Sequence, residues 1–286
     1  MPGPIMAVNG QLGGVRVVVT RAAHQAARLT AALSAAGAAV AALPLLEVVP
    51  PADRGPLERA AGEIESYDWL VFTSVNAVEA FMPLVAGALP RRLRVAAVGA
   101  ATAAALRRHG VEPDLMTGGP AAIGAMGAMG AIGATGAGAE GDEVGAMGLL
   151  AALTPLVGGA RKVLLPQAAD ARPFLVDGLV AAGAKPVGVV AYDKRLPADA
   201  ACRAAELFAV PPIGWVTFTS PRVARHFASL FAADWERRRA EVRAASIGAV
   251  TSAELRRLGV EPAAEAARPG DRELVEALIA ALARPP

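Results

Sequence analysis

Apolar positions along the chain alternate between two patterns: short β-branched runs, and longer stretches where they recur at helical spacing. That alternation is the signature of βα units feeding a parallel sheet. In the first half it predicts strands over Arg16–Thr20, Ala38–Leu43, Trp69–Phe72, Val95–Val98 and Glu112–Leu115, with helices between them. Gly37, Gly110, Gly183 and Gly259 each follow a helical stretch, at the place where a left-handed residue closes a helix and glycine adopts it without strain.

The pattern occurs twice. Val98–Pro113 aligns without gaps to Ile247–Pro262, with 11 of 16 positions identical. Val71–Val78 (VFTSVNAV) matches Thr217–Ala224 (TFTSPRVA) at an offset of 146, and the stretch from Val17 matches that from Val163 at the same offset. The chain is therefore a duplication, and the pattern predicts two doubly wound α/β lobes.

Open parallel sheets bind ligands beyond the carboxyl ends of their strands, so the residues just after each strand carry the functional expectation. Ser74 and Ser220 end equivalent strands at helix N-caps, the second followed by Pro221 as a favourable first helical residue. Thr102 and Thr251 lie three residues past Gly99 and Gly248, at the start of the next helix. Helix starts offer unpaired N–H groups and partial positive charge, which suit carboxylates or phosphates. Two such rims facing one another would line a cleft for a polyanionic small molecule, although each hydroxyl taken singly could simply cap its helix.

Composition narrows the classes. With 286 residues, 54% hydrophobic and only 4% aromatic, the chain is long enough for two ordinary domains and too apolar for general disorder. Twenty-eight basic residues against twenty-six acidic leave a net charge of +2, dispersed along the sequence, which argues against nucleic acid as a partner. The densest basic run, Arg237–Arg238–Arg239, reads as a solvated helix face. The N-terminus lacks the basic start and apolar core of a signal peptide, which predicts a cytoplasmic protein. Leu115–Ala139 is uncharged and long enough to span a bilayer, but eight of its 25 residues are glycine and no anchors frame it, so no membrane association is expected. Residues 117–148 read instead as a flexible Gly/Ala-rich insertion.

The catalytic inventory is thin. One cysteine, Cys202, excludes a multi-cysteine metal site or an internal disulfide. His24, His109 and His226 lack partners at ligand spacing, so no metal is expected. There is no nucleophile elbow around Ser74 or Ser220, no phosphate loop and no dinucleotide fingerprint. The residues alone lead to a polyanion site without naming a reaction.

Taken in order, these blocks resemble the uroporphyrinogen-III synthase family. The resemblance rests on Thr20–Arg21, on YDWLVFTSVNAVEAF from Tyr67 to Phe81, and on the VG-x-x-T-x-x-x-L-x-x-x-G block from Val98. It continues through Ala191–Tyr192, FTSP from Phe218, and the matching IG block from Ile247. It implies two flavodoxin-like lobes joined by a two-stranded connector. One lobe would be 14–44 plus 193–286, the other 52–186, and the connectors 45–51 and 187–192. It implies cyclisation of hydroxymethylbilane, a linear tetrapyrrole with eight carboxylates, by loss of the terminal hydroxyl and inversion of the last ring, with no cofactor. Carried over residue by residue, Tyr192 would assist departure of the hydroxyl, while Thr102, Thr251, Ser74 and Ser220 would position substrate. Arg21 and Arg243 would meet its carboxylates. Asn76 has no counterpart in the second half, where Arg222 stands. A monomer is expected, since the duplication already supplies two lobes. The alternative is a two-lobed protein that binds tetrapyrroles or another polyanion without turnover.

Overall fold

The computed structural model describes residues 10–117, 139–209 and 214–283. The chain divides into two compact units, one holding residues 10–47 and 195–283, the other 48–117 and 140–194. The elements run β1 (Arg16–Val19), α1 (Ala23–Ala35), β2 (Ala39–Ala42), β3 (Glu47–Val49), α2 (Gly55–Gly62), β4 (Trp69–Phe72), α3 (Val75–Phe81), β5 (Arg94–Val98), α4 (Gly99–Arg108) and β6 (Leu115–Thr117). They continue with α5 (Ala139–Leu153), β7 (Lys162–Ala168), α6 (Phe174–Ala181), β8 (Lys185–Arg195), α7 (Ala200–Ala209) and β9 (Trp215–Phe218). The last elements are α8 (Pro221–Leu230), α9 (Trp235–Glu241), β10 (Arg243–Ser246), α10 (Ala249–Arg257), β11 (Ala264–Glu265) and α11 (Asp271–Leu282).

The first unit carries a five-stranded sheet in the order β11-β10-β9-β1-β2. The second carries six strands, β3-β8-β7-β4-β5-β6. Pairing is parallel from β2 through β11 and from β8 through β6. Set beside the repeat, β2-β1 of the first half completes β9-β10-β11 of the second, and β8-β7 of the second completes β4-β5-β6 of the first. Each sheet thus takes strands from both halves. Strand order reverses between β1 and β9 in one unit and between β7 and β4 in the other, which puts the ligand-binding switch points at those pairs.

Helices cover both faces because the strands are apolar on both. Trp69–Phe72 and Trp215–Phe218 are buried throughout. Phe208, Phe218, Phe227 and Phe231 form a tilted and edge-on aromatic cluster in the first unit, with centroids 4.9–5.6 Å apart. Gly37, Gly110, Gly183 and Gly259 all have φ between +74° and +88°, as their place after a helix predicted.

Three expectations change. The fifth strand of the first half is Leu115–Thr117 rather than Glu112–Leu115, because Asp114 spends its carboxylate on the Val95 amide 2.8 Å away and the strand starts after that turn. The predicted insertion has secondary structure at both of its ends, while residues 118–138 lie outside the described residues. Thr117 closes β6, and residues 139–148 belong to α5, whose Leu149 and Leu153 are fully buried against Trp69, Val163 and Leu165. Composition hid that helix, since glycine and alanine show no apolar stripe, and its stability comes from packing at its end. Gly178 on α6 is what admits it: a Cβ there would lie 2.2 Å from Leu150. Finally, the expected connector segment 187–192 is part of a longer strand: β8 runs unbroken from Lys185 to Arg195, pairs β7 across a bulge at Gln167/Ala168, and has β3, within the other expected segment 45–51, as its outer neighbour.

Candidate functional site

The carboxyl edge of the second sheet gathers the residues with chemistry. β4 delivers the chain to Thr73 and Ser74, and Ser74 adopts extended backbone as the N-cap of α3, its Oγ accepting from the Ala77 amide at 3.2 Å. The neighbouring strand β7 ends at Ala168, and in register with Ala168 on β8 stands Tyr192. The two side chains meet across the switch point, with Ser74 Oγ and Tyr192 Oη 3.1 Å apart. The tyrosine ring is only 4% exposed, packed among Leu164, Val189 and Ala191, while the hydrogen bond at its tip is part-buried. Lys194 places its ammonium 5.6 Å from the ring centroid. The result is a buried phenol on an apolar stem, with the Ser74 hydroxyl as its hydrogen-bond partner at the switch point.

One strand further along, β5 hands over to α4 at Gly99, whose φ of +80° makes the sharp strand-to-helix turn that glycine alone takes without strain. Thr102 follows in the first turn, 3% exposed.

The first unit repeats the scaffold with other side chains. Ser220 is an extended N-cap for α8 and accepts from the Val223 amide at 3.3 Å. Thr251 sits in the first turn of α10, again 3% exposed. Beside it Ser252 is fully buried and its hydroxyl finds no partner among the described residues. The switch point is knitted by Thr20, whose hydroxyl donates to the Thr217 carbonyl, and by Thr217, whose hydroxyl donates to Val18 O at 3.2 Å. Where Tyr192 stands in the second half, the first has Leu46, half-buried against the aromatic core.

Of the residues singled out in the sequence, Ser74 and Tyr192 are brought together directly. Thr102, Thr251 and Ser220 occupy the expected carboxyl edges, the threonines more deeply than helix-start hydroxyls facing solvent would be. Arg21 does stand at the end of β1, but its guanidinium pairs with the carboxylate of Asp271 at 2.6 Å, both side chains under 20% exposed. Asp271 opens α11, where the helix dipole also favours an anion. The expected acidic partner of Arg21 is thus supplied by the fold itself.

Arg243 requires correction. It is the first residue of β10, so it lies at the amino edge of its sheet, with about 10 Å of strand between it and the carboxyl edge. Its guanidinium covers the ring of Trp215 at 4.5 Å. The repeat explains why: Arg94 opens β5 at the equivalent place and stands 5.7 Å from the Trp69 centroid. The arginine and tryptophan are register partners in both sheets. This is a duplicated scaffold contact, and the alignment of Arg94 with Arg243 was the signal that could have revealed it.

The basic run also has an account. Arg237, Arg238 and Arg239 pair with Asp234, Glu236 and Glu241 on or beside their own helix, leaving no unneutralised patch. Among the described residues no three His, Cys, Asp or Glu side chains gather as a metal site, and no helix is long and apolar enough to cross a membrane. His226 is spent on the Leu45 carbonyl at 2.6 Å and His109 on Glu79 at 3.2 Å. A cavity of about 400 Å³ in the second unit, lined by Leu89, Pro90, Val95 and Val111, opens near the amino end of β5, away from Ser74 and Tyr192.

Comparison with known proteins gives the same answer from several directions. The family model described as uroporphyrinogen-III synthase HemD matches residues 27–276. The uroporphyrinogen-III synthase of Synechococcus elongatus is 30% identical over 248 residues, covering 84% of each chain. Among solved structures, a mutant uroporphyrinogen III synthase of Thermus thermophilus superposes with a TM-score of 0.56 at 18% identity, over 94% of this chain and 98% of its own. The uroporphyrinogen-III synthetase of Helicobacter pylori gives 0.55 at 18%, over 93% and 99%. At those identities the two structures speak for the fold.

Proposed function

The chain belongs to the uroporphyrinogen-III synthase family, and from that premise we propose that it closes hydroxymethylbilane into uroporphyrinogen III, with Tyr192 as the group that helps the terminal hydroxyl leave. The observation that carries the reading is the Tyr192 phenol, held 3.1 Å from Ser74 at the switch point of the second sheet. Its proton passes to the departing oxygen as the carbon–oxygen bond breaks with its electron pair on oxygen, and water is released. The pyrrole nitrogen lone pair stabilises the resulting cation. Inversion then requires the cation to be attacked by the already substituted α carbon of the last ring. The bond from that carbon to its methylene bridge breaks and leaves the cation on that bridge. The bridge closes on the ring's free α carbon, whose lost proton restores the phenol. Such chemistry needs orientation and one well-placed acid more than a strong nucleophile. Lost water is the only by-product, so no cofactor is required.

The eight substrate carboxylates call for dispersed donors. The first-turn amides of α4, α8 and α10, with the hydroxyls of Ser220, Thr102 and Thr251, supply them at the carboxyl edges. Arg21 orders this edge by tying the end of β1 to α11, so its contribution is rigidity of the rim. We place the protein in the cytoplasm as a monomer; the monomer is supported by two sheets each assembled within one chain.

The test is to supply enzymatically generated hydroxymethylbilane and separate the product isomers. Spontaneous closure yields the uninverted isomer. A predominance of the inverted isomer is expected. Tight binding with only the spontaneous product would establish the non-catalytic binding reading instead.

A further inference from the structure

We propose that Ser74 acts on the reaction through Tyr192, as a positioning residue that fixes which way the phenol points its proton, and that this is its main contribution in place of direct contact with substrate. The inference rests on the reading of Tyr192 given above and adds a second residue to it.

Tyr192 has a single hydroxyl proton, and its Oη lies 3.1 Å from Ser74 Oγ, so one of the two donates to the other. Were the phenol to donate to the serine, its proton would be committed inside the protein and withheld from a departing hydroxyl. Ser74 Oγ already accepts from the Ala77 amide at 3.2 Å. An oxygen that accepts is polarised toward donating its own hydrogen, so the favoured chain runs from Ala77 N–H to Ser74 Oγ, and from Ser74 O–H to Tyr192 Oη. That direction leaves the phenolic proton free for the rim. It also leaves a donor on the phenolate once the proton has gone, so the interaction is stronger in the transition state than before it. The buried ring fixes where the tyrosine lies, and the serine fixes how its hydroxyl is turned.

The duplication supplies an internal control. Ser220 occupies the equivalent N-cap with the same amide bond, from Val223 at 3.3 Å, but Leu46 stands where Tyr192 would be. Ser74→Ala and Ser220→Ala therefore lose equivalent caps; the second also loses a donor to substrate, which is read in KM, and only the first loses a partner of the phenol, which is read in kcat.

The experiment measures type III isomer formation by the full chain in five variants: Ser74→Ala, Ser74→Thr, Ser220→Ala, Tyr192→Phe and the Ser74→Ala/Tyr192→Phe pair. Ser74→Ala should lower kcat roughly fivefold to tenfold, the size of one lost hydrogen bond, with KM unchanged. Ser74→Thr, which keeps both cap and donor, should restore most of that loss. In the paired variant Ser74→Ala should add almost nothing to Tyr192→Phe. The proposal is overturned if Ser74→Ala raises KM without touching kcat, if its kcat falls no further than that of Ser220→Ala, or if its effect persists in full without the phenol. A Tyr192→Phe protein with undiminished kcat would instead remove the reading of the tyrosine itself. A Ser74→Ala protein that fails to fold leaves Ser74→Thr and Ser74→Asn to decide. Asn keeps the cap and an N–H donor, so kcat close to the parent value is expected from both, and a tenfold loss in Thr would sink the idea.

Discussion

The two switch points are copies of one design with different contents. Both place a serine N-cap after the third strand of the sheet order, a threonine in the first turn of the next helix, and an arginine stacked on tryptophan at the far edge. In the second unit the shared serine meets a phenol; in the first, the position 146 residues earlier in the repeat is Leu46, and an ion pair between Arg21 and Asp271 holds the edge together. The parts that survive in both copies are those that make strands turn into helices. The proposed chemistry resides where the copies disagree.

That comparison can be broken at its strongest point first. Tyr192→Phe should lower the rate of type III formation by about a hundredfold, the contribution of a positioned general acid, while the thermal midpoint stays within a few degrees. A loss of fold equal to the loss of rate would make the tyrosine a packing residue. Arg21→Ala tests the other copy: it leaves Asp271 without its partner and should cost about 1–2 kcal/mol in urea titrations, since hydrogen bonds to charged groups exceed neutral ones. Unchanged stability together with a raised KM would return Arg21 to the substrate.

A smaller effect of opposite sign is expected at Ser252, the unpartnered hydroxyl that aligns with Ala103. Ser252→Ala should leave the protein as stable or stabilise it by about 1 kcal/mol, because it removes a buried group whose hydrogen bonds are unmet. Destabilisation would reveal a bond to that hydroxyl and a real difference between the copies. Smallest of all, Arg243→Ala should cost about 0.5 kcal/mol for the lost cation–π contact and leave KM alone, as Arg94→Ala should in the other sheet.

Much of the scaffold was legible in the residues. The strand cores Arg16–Val19 and Trp69–Phe72 announced themselves by β-branched and aromatic runs, and the four closing glycines by their place after a helix. Ser74 and Ser220 were readable as caps because capping is local, decided within three residues. The pairing of Ser74 with Tyr192 was not, since it joins positions 118 apart through sheet order. Nor was the partner of Arg21, 250 residues away. Arg243 was misplaced for a related reason: a residue ahead of a strand and one behind it look alike in sequence until the direction of the sheet is known. The helix at Ala139 was hidden by composition, because its stability comes from what Leu149 and Leu153 touch.

The way each sheet borrows strands from the opposite repeat sets a timetable for the emerging polypeptide. The unit built on β4 has all its strands once residue 195 has left the ribosome. β1 and β2, the first strands of the chain, must wait for β9 to β11, which follow residue 214. Throughout that interval the apolar strand β1 has β2 on one side and an open edge on the other, and a cell making this protein has reason to shield that edge until β9 arrives.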